Sequence, residues 1–287
     1  MKSTPSKYLR KPEWLRTQLT RAQDYSRVKN TLKHGSLHTI CESGACPNKG
    51  ECWREGTATF MILGDICTRS CRFCNVKTGK PLPPDPFEPE RVARAVRDMG
   101  VNHCVITSVD RDDIPDGGAA IWAETINAIR QFAPETTIEA LIPDFKGDTT
   151  SIQMVVDAGP EVISHNLETV RRLTREVRVY ANYKTSLEVL KYIAQNNSIR
   201  TKSGIMLGLG ETEDEILETM DDLRKANCQV MTLGQYLQPS IHHLPVQKYV
   251  HPDDFDRYGA IAREKGFRFV ESAPLVRSSY HAINHVQ

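Results

Sequence analysis

The 287-residue sequence predicts an α/β fold built on a parallel sheet, and three observations carry that prediction. Short apolar runs recur at 58–63, 103–107, 137–142, 161–164, 203–209 and 229–233, each the length of a strand. Stretches with helical spacing separate them, so the chain alternates strand and helix, and right-handed crossovers bring successive strands side by side. Polar residues suited to chemistry follow the apolar runs directly, where parallel α/β folds place their ligands. A doubly wound sheet and a (β/α) barrel both satisfy this pattern, and periodicity does not choose between them.

Composition narrows the function classes. Hydrophobic residues are 39% of the chain and charged residues 25%, as in ordinary globular proteins and unlike disordered ones. No apolar run approaches the roughly 20 residues of a membrane helix, so no membrane partner is expected. A net charge of +1 gives no overall pull toward nucleic acid. Residues 1–35 nevertheless hold nine Lys or Arg against Glu13 and Asp24, a basic arm that reads as a solvated helix face or as a docking surface for an acidic partner. The N-terminus lacks a secretory h-region, which predicts a reducing compartment, taken as cytoplasmic. An organellar import signal is the alternative, because the first ten residues are basic and hydroxylated. In such a compartment eight cysteines point to metal or catalysis rather than to disulfides.

Along the chain, the first helix is predicted over 89–99, with Val92, Ala95, Val96 and Met99 on one face and Gly100 as its stop. Further helices are predicted at 118–132, 150–158, 184–195 and 212–226, with short elements at 253–265 and 267–271. Thr212 opens the fifth helix, and Asp214 and Glu215 lie in its first turn, at the positive end of the dipole. Five prolines between 77 and 90 stiffen a connector within one domain. The strand-end residues are Cys67, Cys71 and Cys74, then Thr107, Ser108 and Asp110, then Asn166 and Glu168, then Glu211 and Gln235.

Two cysteine triplets carry the chemistry. Residues 67–74 read C-T-R-S-C-R-F-C, a C-x3-C-x2-C loop with Phe73 before the last cysteine. Three thiolates hold three irons of a cubane and leave the fourth open, whereas electron-transfer clusters supply four cysteines. A structural zinc site needs four ligands, commonly in two spaced pairs. Residues 41–52 read C-x4-C-x5-C, a less specific spacing for which zinc shared with a distant histidine is an alternative. Cys104 and Cys228 read as small buried hydrophobes. Ser278 and Ser279, taken alone, read as caps of a C-terminal turn.

The same residues carry a resemblance. The C-x3-C-x2-C loop with its aromatic resembles the signature of the radical S-adenosylmethionine superfamily. ECWREGTATFMILGDICTRSCRFCN at 51–75 resembles the lipoyl synthase family within it, as do KPEWLR at 11–16, TSVDRDDIPDGG at 107–118, HNLETV at 165–170, TKSGIMLGLGET at 201–212 and RSSYHA at 277–282. The resemblance implies a partial (β/α)6 TIM-type barrel over 57–265, with an N-terminal extension (1–56) and a C-terminal extension (266–287) that carry an auxiliary cluster.

It further implies two 4Fe–4S clusters and S-adenosyl-L-methionine as cofactors, and insertion of two sulfur atoms at C6 and C8 of an octanoyl-lysyl group. Cys67, Cys71 and Cys74 would hold the cluster that binds S-adenosyl-L-methionine. Cys41, Cys46 and Cys52, with Ser279 as the fourth ligand, would hold the auxiliary cluster that gives up its sulfur. Thr107, Ser108, Asn166 and Glu168 would cradle the cofactor, with Arg178 facing its carboxylate. The implied partners are octanoylated lipoyl carrier domains of 2-oxoacid dehydrogenase acyltransferase subunits and the glycine cleavage H protein. A reductant such as ferredoxin or flavodoxin and an iron–sulfur carrier that rebuilds the spent cluster complete the set, with no nucleic acid and no membrane. Another sulfur-inserting or methylthio-transferring enzyme of the superfamily is the alternative, and a non-enzymatic iron–sulfur or zinc module is the alternative from another class.

Overall fold

A computed structural model describes residues 9–16, 35, 37–44, 46, 48, 52, 58–196 and 198–286. Its first half runs through β1 (His38–Thr39), α1 (Ile40–Ser43), β2 (Ala58–Ile62), β3 (Ile66–Cys67), β4 (Lys77–Thr78), α2 (Glu88–Met99), β5 (His103–Ser108), α3 (Ala119–Phe132) and β6 (Thr137–Leu141). The second half runs through α4 (Thr149–Asp157), β7 (Val162–Ser164), α5 (Thr174–Val177), α6 (Tyr183–Ile193), β8 (Arg200–Leu207), α7 (Glu213–Lys225), β9 (Val230–Gln235), α8 (Pro252–Glu264) and β10 (Phe269–Ser272). Helix ends follow local chemistry. Gly100 stops α2 in the left-handed region at φ 64°, and Thr212 and Glu215 form a reciprocal capping box at the start of α7. The short elements expected at 253–265 and 267–271 are α8 and β10, which complete one more β/α step.

Topology settles the choice that periodicity left open. The main sheet has the order β1-β2-β5-β6-β7-β8-β9-β10, with β1 antiparallel to β2 and every other pair parallel. Each new strand joins the same growing edge, whereas a doubly wound sheet reverses direction at a switch point. The sheet is therefore singly wound, and it stays open as a partial barrel because β1 and β10 have no mutual pairing. Ser108, Leu141, Ser164 and Gln235 mark its C-terminal rim. The run expected at 203–209 begins earlier, at Arg200, and stops at Leu207. Gly208 then turns at φ 102°, and an added Cβ there would meet the Lys248 carbonyl at 2.4 Å.

Apolar faces of α2, α3 and α4 bury Val92, Trp122, Ile126 and Ile152 against one half of the sheet, and α7 and α8 bury Met220, Leu223 and Phe255 against the other. One polar pair is wholly enclosed. Lys202 Nζ reaches Glu139 Oε2 at 2.9 Å, both side chains at 0% exposure, while Ser164 donates to Glu139 Oε1 at 2.8 Å. Nothing in the strand patterns singled out these charges, because one buried position in a strand reads like the next. The C-terminal segment lies over the sheet. Its last turn, Ala282–Val286, contacts β5 and β6, and Arg200 donates to the carbonyl of His285.

Of the basic arm, Arg10, Lys11 and Arg16 are exposed, and its other six cations lie outside the described residues. No helix among the described residues is long and apolar enough to cross a membrane.

Candidate active site

A cavity of about 530 Å³ opens at the C-terminal rim of the sheet. Cys41, Cys46, Cys67, Cys71, Cys74, Thr107, Ser108, Asn166, Glu168, Arg178, Ser278 and Ser279 all line it. Cys52 is not among its lining residues, and its half-buried side chain packs against the sheet's core.

The loop after β3 is built from its backbone outward. The N–H groups of Arg69 and Asp110 lie 3.4 and 3.3 Å from Cys67 Sγ, so two peptide dipoles face that sulfur. The N–H of Cys74 donates to the Cys71 carbonyl at 3.1 Å, the N–H of Arg72 to the Val177 carbonyl at 2.9 Å, and the N–H of Gly79 to the Cys67 carbonyl at 3.0 Å. His243 Nε2 sits 3.0 Å from the carbonyl of Cys74. Burial pushes the thiols up, with the Asp110 carboxylate adding to it at Cys67 and Cys71: Cys71 reaches about 12 and Cys74 about 11. Thiols so disfavoured as bare anions need a cationic partner before they ionise, and iron supplies one.

The first triplet lies on the N-terminal segment. Thr39 caps the short helix that carries Cys41, and the N–H of Cys46 donates to the Cys41 carbonyl at 3.1 Å. Asn48, between Cys46 and Cys52, donates its Nδ2 to the Leu275 carbonyl at 2.6 Å. This one bond spans 227 residues and joins the N-terminal triplet to the segment that bears Ser278 and Ser279. Asn75 Nδ2, just past Cys74, reaches the Ser43 carbonyl at 2.9 Å, which ties the two cysteine segments together.

The polar cradle is equally specific. Asn166 Nδ2 donates to Glu168 Oε1 at 3.0 Å and to Ser278 Oγ at 2.7 Å. Thr107 donates to the Leu141 carbonyl at 3.2 Å, and Arg178 Nη1 donates to Ser186 Oγ at 2.9 Å and to the Leu167 carbonyl at 3.3 Å. Burial pushes the Glu168 carboxyl up, while Arg178 and Asn166 favour its charged form. Ser108 Oγ and Asn166 Oδ1 are buried with no hydrogen-bond partner among the described residues. Such atoms are expensive unless something else completes them, so the cradle fits a polar ligand. Three thiols on one loop fit iron at the corners of a cubane.

Three residues escaped the sequence reading: Arg69, Asp112 and Asp144. Arg69 is 5% exposed and bonds both aspartates. An arginine between two cysteines was the available signal. Cys104 and Cys228 are fully buried, as expected of small hydrophobes, and burial pushes the Cys228 thiol up to about 12.

The chain is similar to known proteins over nearly its whole length. The Radical SAM superfamily profile matches residues 61–223, and the profile for the N-terminal domain of lipoyl synthase matches residues 1–46. A lipoyl synthase of Flavobacterium psychrophilum is 59% identical over 276 residues, covering 96% of this chain and 95% of its own. The chain belongs to the lipoyl synthase family. Another member, from Treponema denticola, is 60% identical over 277 residues, 96% of this chain and 95% of that one. The mitochondrial lipoyl synthase of Nematostella vectensis is 57% identical over 276 residues, with the same coverages of 96% and 95%. Solved structures share the fold at low identity. SuiB of Streptococcus suis bound to S-adenosylmethionine superposes with a TM-score of 0.59 at 12% identity, over 87% of this chain and 62% of that one. The hydrogenase maturase HydG of Carboxydothermus hydrogenoformans gives 0.58 at 15% identity, over 92% and 77%.

Family membership makes the protein a radical S-adenosylmethionine sulfurtransferase acting on octanoylated carrier proteins, with S-adenosyl-L-methionine and 4Fe–4S clusters as cofactors. The readings as another sulfur-inserting enzyme, or as a non-enzymatic module, fall away.

Proposed function

We propose that the two cysteine triplets divide the family's reaction between them within the one cavity. Cys67, Cys71 and Cys74 hold the cluster whose open iron takes S-adenosyl-L-methionine. Cys41, Cys46, Cys52 and Ser279 hold the auxiliary cluster, which is the sulfur-donating substrate. The observation that carries this division is that Cys41 and Cys46 of the first triplet, all three cysteines of the second and the Ser278–Ser279 pair open on the same space, with Asn48 bonded to Leu275 between the chain's two ends. When bound, the cofactor supplies radical chemistry that removes hydrogen from unactivated carbon, which no side-chain base can do.

The chain's own residues orient and exclude. Ser108 Oγ and Asn166 Oδ1 offer unspent hydrogen-bonding capacity to the cofactor, Thr107 and Glu168 stand beside them, and the Arg178 charge faces its carboxylate. Val109, Leu141, Ile142, Ile205 and Met206 give the cavity an apolar wall that suits an alkyl chain and keeps water from it. An oxygen ligand at Ser279 is harder than thiolate, so its iron is the easiest to release.

The barrel is read as 57–265 and the cluster-bearing extensions as 1–56 and 266–287. The carriers are read as lipoyl domains of 2-oxoacid dehydrogenase acyltransferase subunits and the glycine cleavage H protein, the reductant as ferredoxin or flavodoxin, and the compartment as the cytoplasm. An iron–sulfur carrier restores the auxiliary cluster between turnovers. The test is anaerobic incubation with dithionite, S-adenosylmethionine and an octanoyl-lysyl peptide, followed by mass analysis. Cys71→Ala should abolish 5′-deoxyadenosine. Cys46→Ala should still form it but leave the peptide without two added sulfurs; sulfur insertion by Cys46→Ala would reverse the division.

A further inference from the structure

The cluster loop carries a charged network that the reaction as read above leaves unused. Arg69 stands between Cys67 and Cys71, and its guanidinium is shared by three carboxylates. Nε and Nη2 form a fork onto Asp112 at 2.7 and 2.9 Å, Nη2 also donates to Asp144 at 2.8 Å, and Nη1 lies 3.4 Å from Asp110. Asp110 and Asp112 follow β5, while Asp144 follows β6. One buried side chain thus ties the loop to two strand ends. The backbone takes part as well, since the N–H groups of Arg69 and Asp110 are the two that face Cys67 Sγ.

We propose that Arg69 is a positioning residue for the cluster loop, and that its charge, set against Asp110, Asp112 and Asp144, governs how readily the cluster on Cys67, Cys71 and Cys74 accepts an electron. The proposal rests on the ligand assignment made above. Its physics is that cluster potentials follow the net charge nearby and the hydrogen bonds made to the sulfurs. Accepting an electron adds negative charge, so a neighbouring cation favours the reduced state and a neighbouring carboxylate opposes it. Burial works against ionisation of Asp144, but the hydrogen bond and charge of Arg69 outweigh it and hold the carboxyl down to about 2. Arg69 likewise holds Asp112 down, so these two carboxyls are anions that Arg69 partly offsets, whereas burial pushes the Asp110 carboxyl up. Lysine could not reproduce the clamp, because a point charge on a flexible stem has no planar fork for two aspartates at once.

The test is a redox titration of anaerobically loaded holoprotein, following by electron paramagnetic resonance the signal that changes on adding S-adenosylmethionine. Arg69→Gln should lower the reduced fraction at a given ambient potential about tenfold, which for one electron is a fall of about 59 mV. Asp144→Asn should move the midpoint upward, and the double variant should return toward the parent. A purely mechanical strut would not produce shifts of opposite sign that cancel. Same-sign shifts, or none at parental iron content, would overturn the proposal. Should Arg69→Gln fail to load iron, Asp144→Asn decides alone, and an unchanged or lowered midpoint defeats it. If Cys71→Ala kept the responsive signal, the ligand assignment would fall rather than the clamp.

Discussion

Ser278 and Ser279 are adjacent in sequence, but their surroundings give them different work. The hydroxyl of Ser278 accepts from Asn166 at 2.7 Å, whereas Ser279 lines the cavity and makes no side-chain hydrogen bond among the described residues. Ser279 is the hydroxyl we propose as the metal ligand. Ser279→Ala should leave 5′-deoxyadenosine formation near the parent's level and cut lipoyl product at least tenfold, an order-of-magnitude expectation for losing one cluster ligand. Ser278→Ala should instead cost roughly 1 kcal/mol of stability through the lost hydrogen bond, measured by thermal unfolding, with cluster content retained. The resemblance at RSSY put the expected ligand on Ser279, whereas the residues alone read both serines as turn caps. Which serine is occupied by Asn166 depended on a contact spanning 112 residues, which no local spacing encodes.

At the scale of elements, β9 and the C-terminal segment meet at a glycine. A Cβ on Gly234 would lie 2.1 Å from the Val276 carbonyl, so Gly234→Ala must displace the chain two residues before Ser278. The expected cost is about 1–3 kcal/mol of overpacking, and product should fall more than 5′-deoxyadenosine does. The comparison of those two yields checks it, because a general loss of fold would lower both equally. The capping box of α7 offers a contrast far from the chemistry: Thr212→Ala should cost about 1 kcal/mol and lower the melting temperature by a few degrees without altering the product ratio. Helix limits and caps were legible in the sequence, within a residue or two at α2, α3, α4, α6 and α7, because caps and apolar spacing act within a few residues. The limits of β8 were less so, since Gly208 and Leu209 continue its apolar run while the backbone has already turned.

Three imidazoles are buried among the described residues, His103, His165 and His285, and the two held furthest down tie stability to pH most strongly. Burial, aided by the Arg178 charge, holds His165 down to about 4, and burial with the Lys202 charge holds His285 down to about 3. Both rings are neutral when folded, so the 3.9 Å approach of His285 to Glu271 is not an ion pair at neutral pH. An unfolded histidine titrates near 6.5, so the unfolded chain binds more protons once the pH drops below that value. Their contribution is therefore complete above about pH 6.5 and is lost as the pH falls toward the folded values, by up to about 1.4 kcal/mol per pH unit for each ring. Melting temperatures of anaerobic holoprotein between pH 7.5 and 5 should decline, and His285→Gln should flatten that decline; an unchanged slope would show that His285 does not carry it.

The sequence by itself determined the alternation of strand and helix, the helix caps and the two cysteine triplets. Each of these is written in residues only a few positions apart, where covalent spacing and burial periodicity leave little choice. The family resemblance carried the partial barrel, which the strand order bears out, but tertiary structure alone decided that Asn48 reaches Leu275, that Arg69 gathers Asp112 and Asp144, and that Lys202 is buried against Glu139. Those pairings join segments from 43 to 227 residues apart. Periodicity reports only whether a position is buried, and the identity of its distant neighbour is set by how whole elements pack.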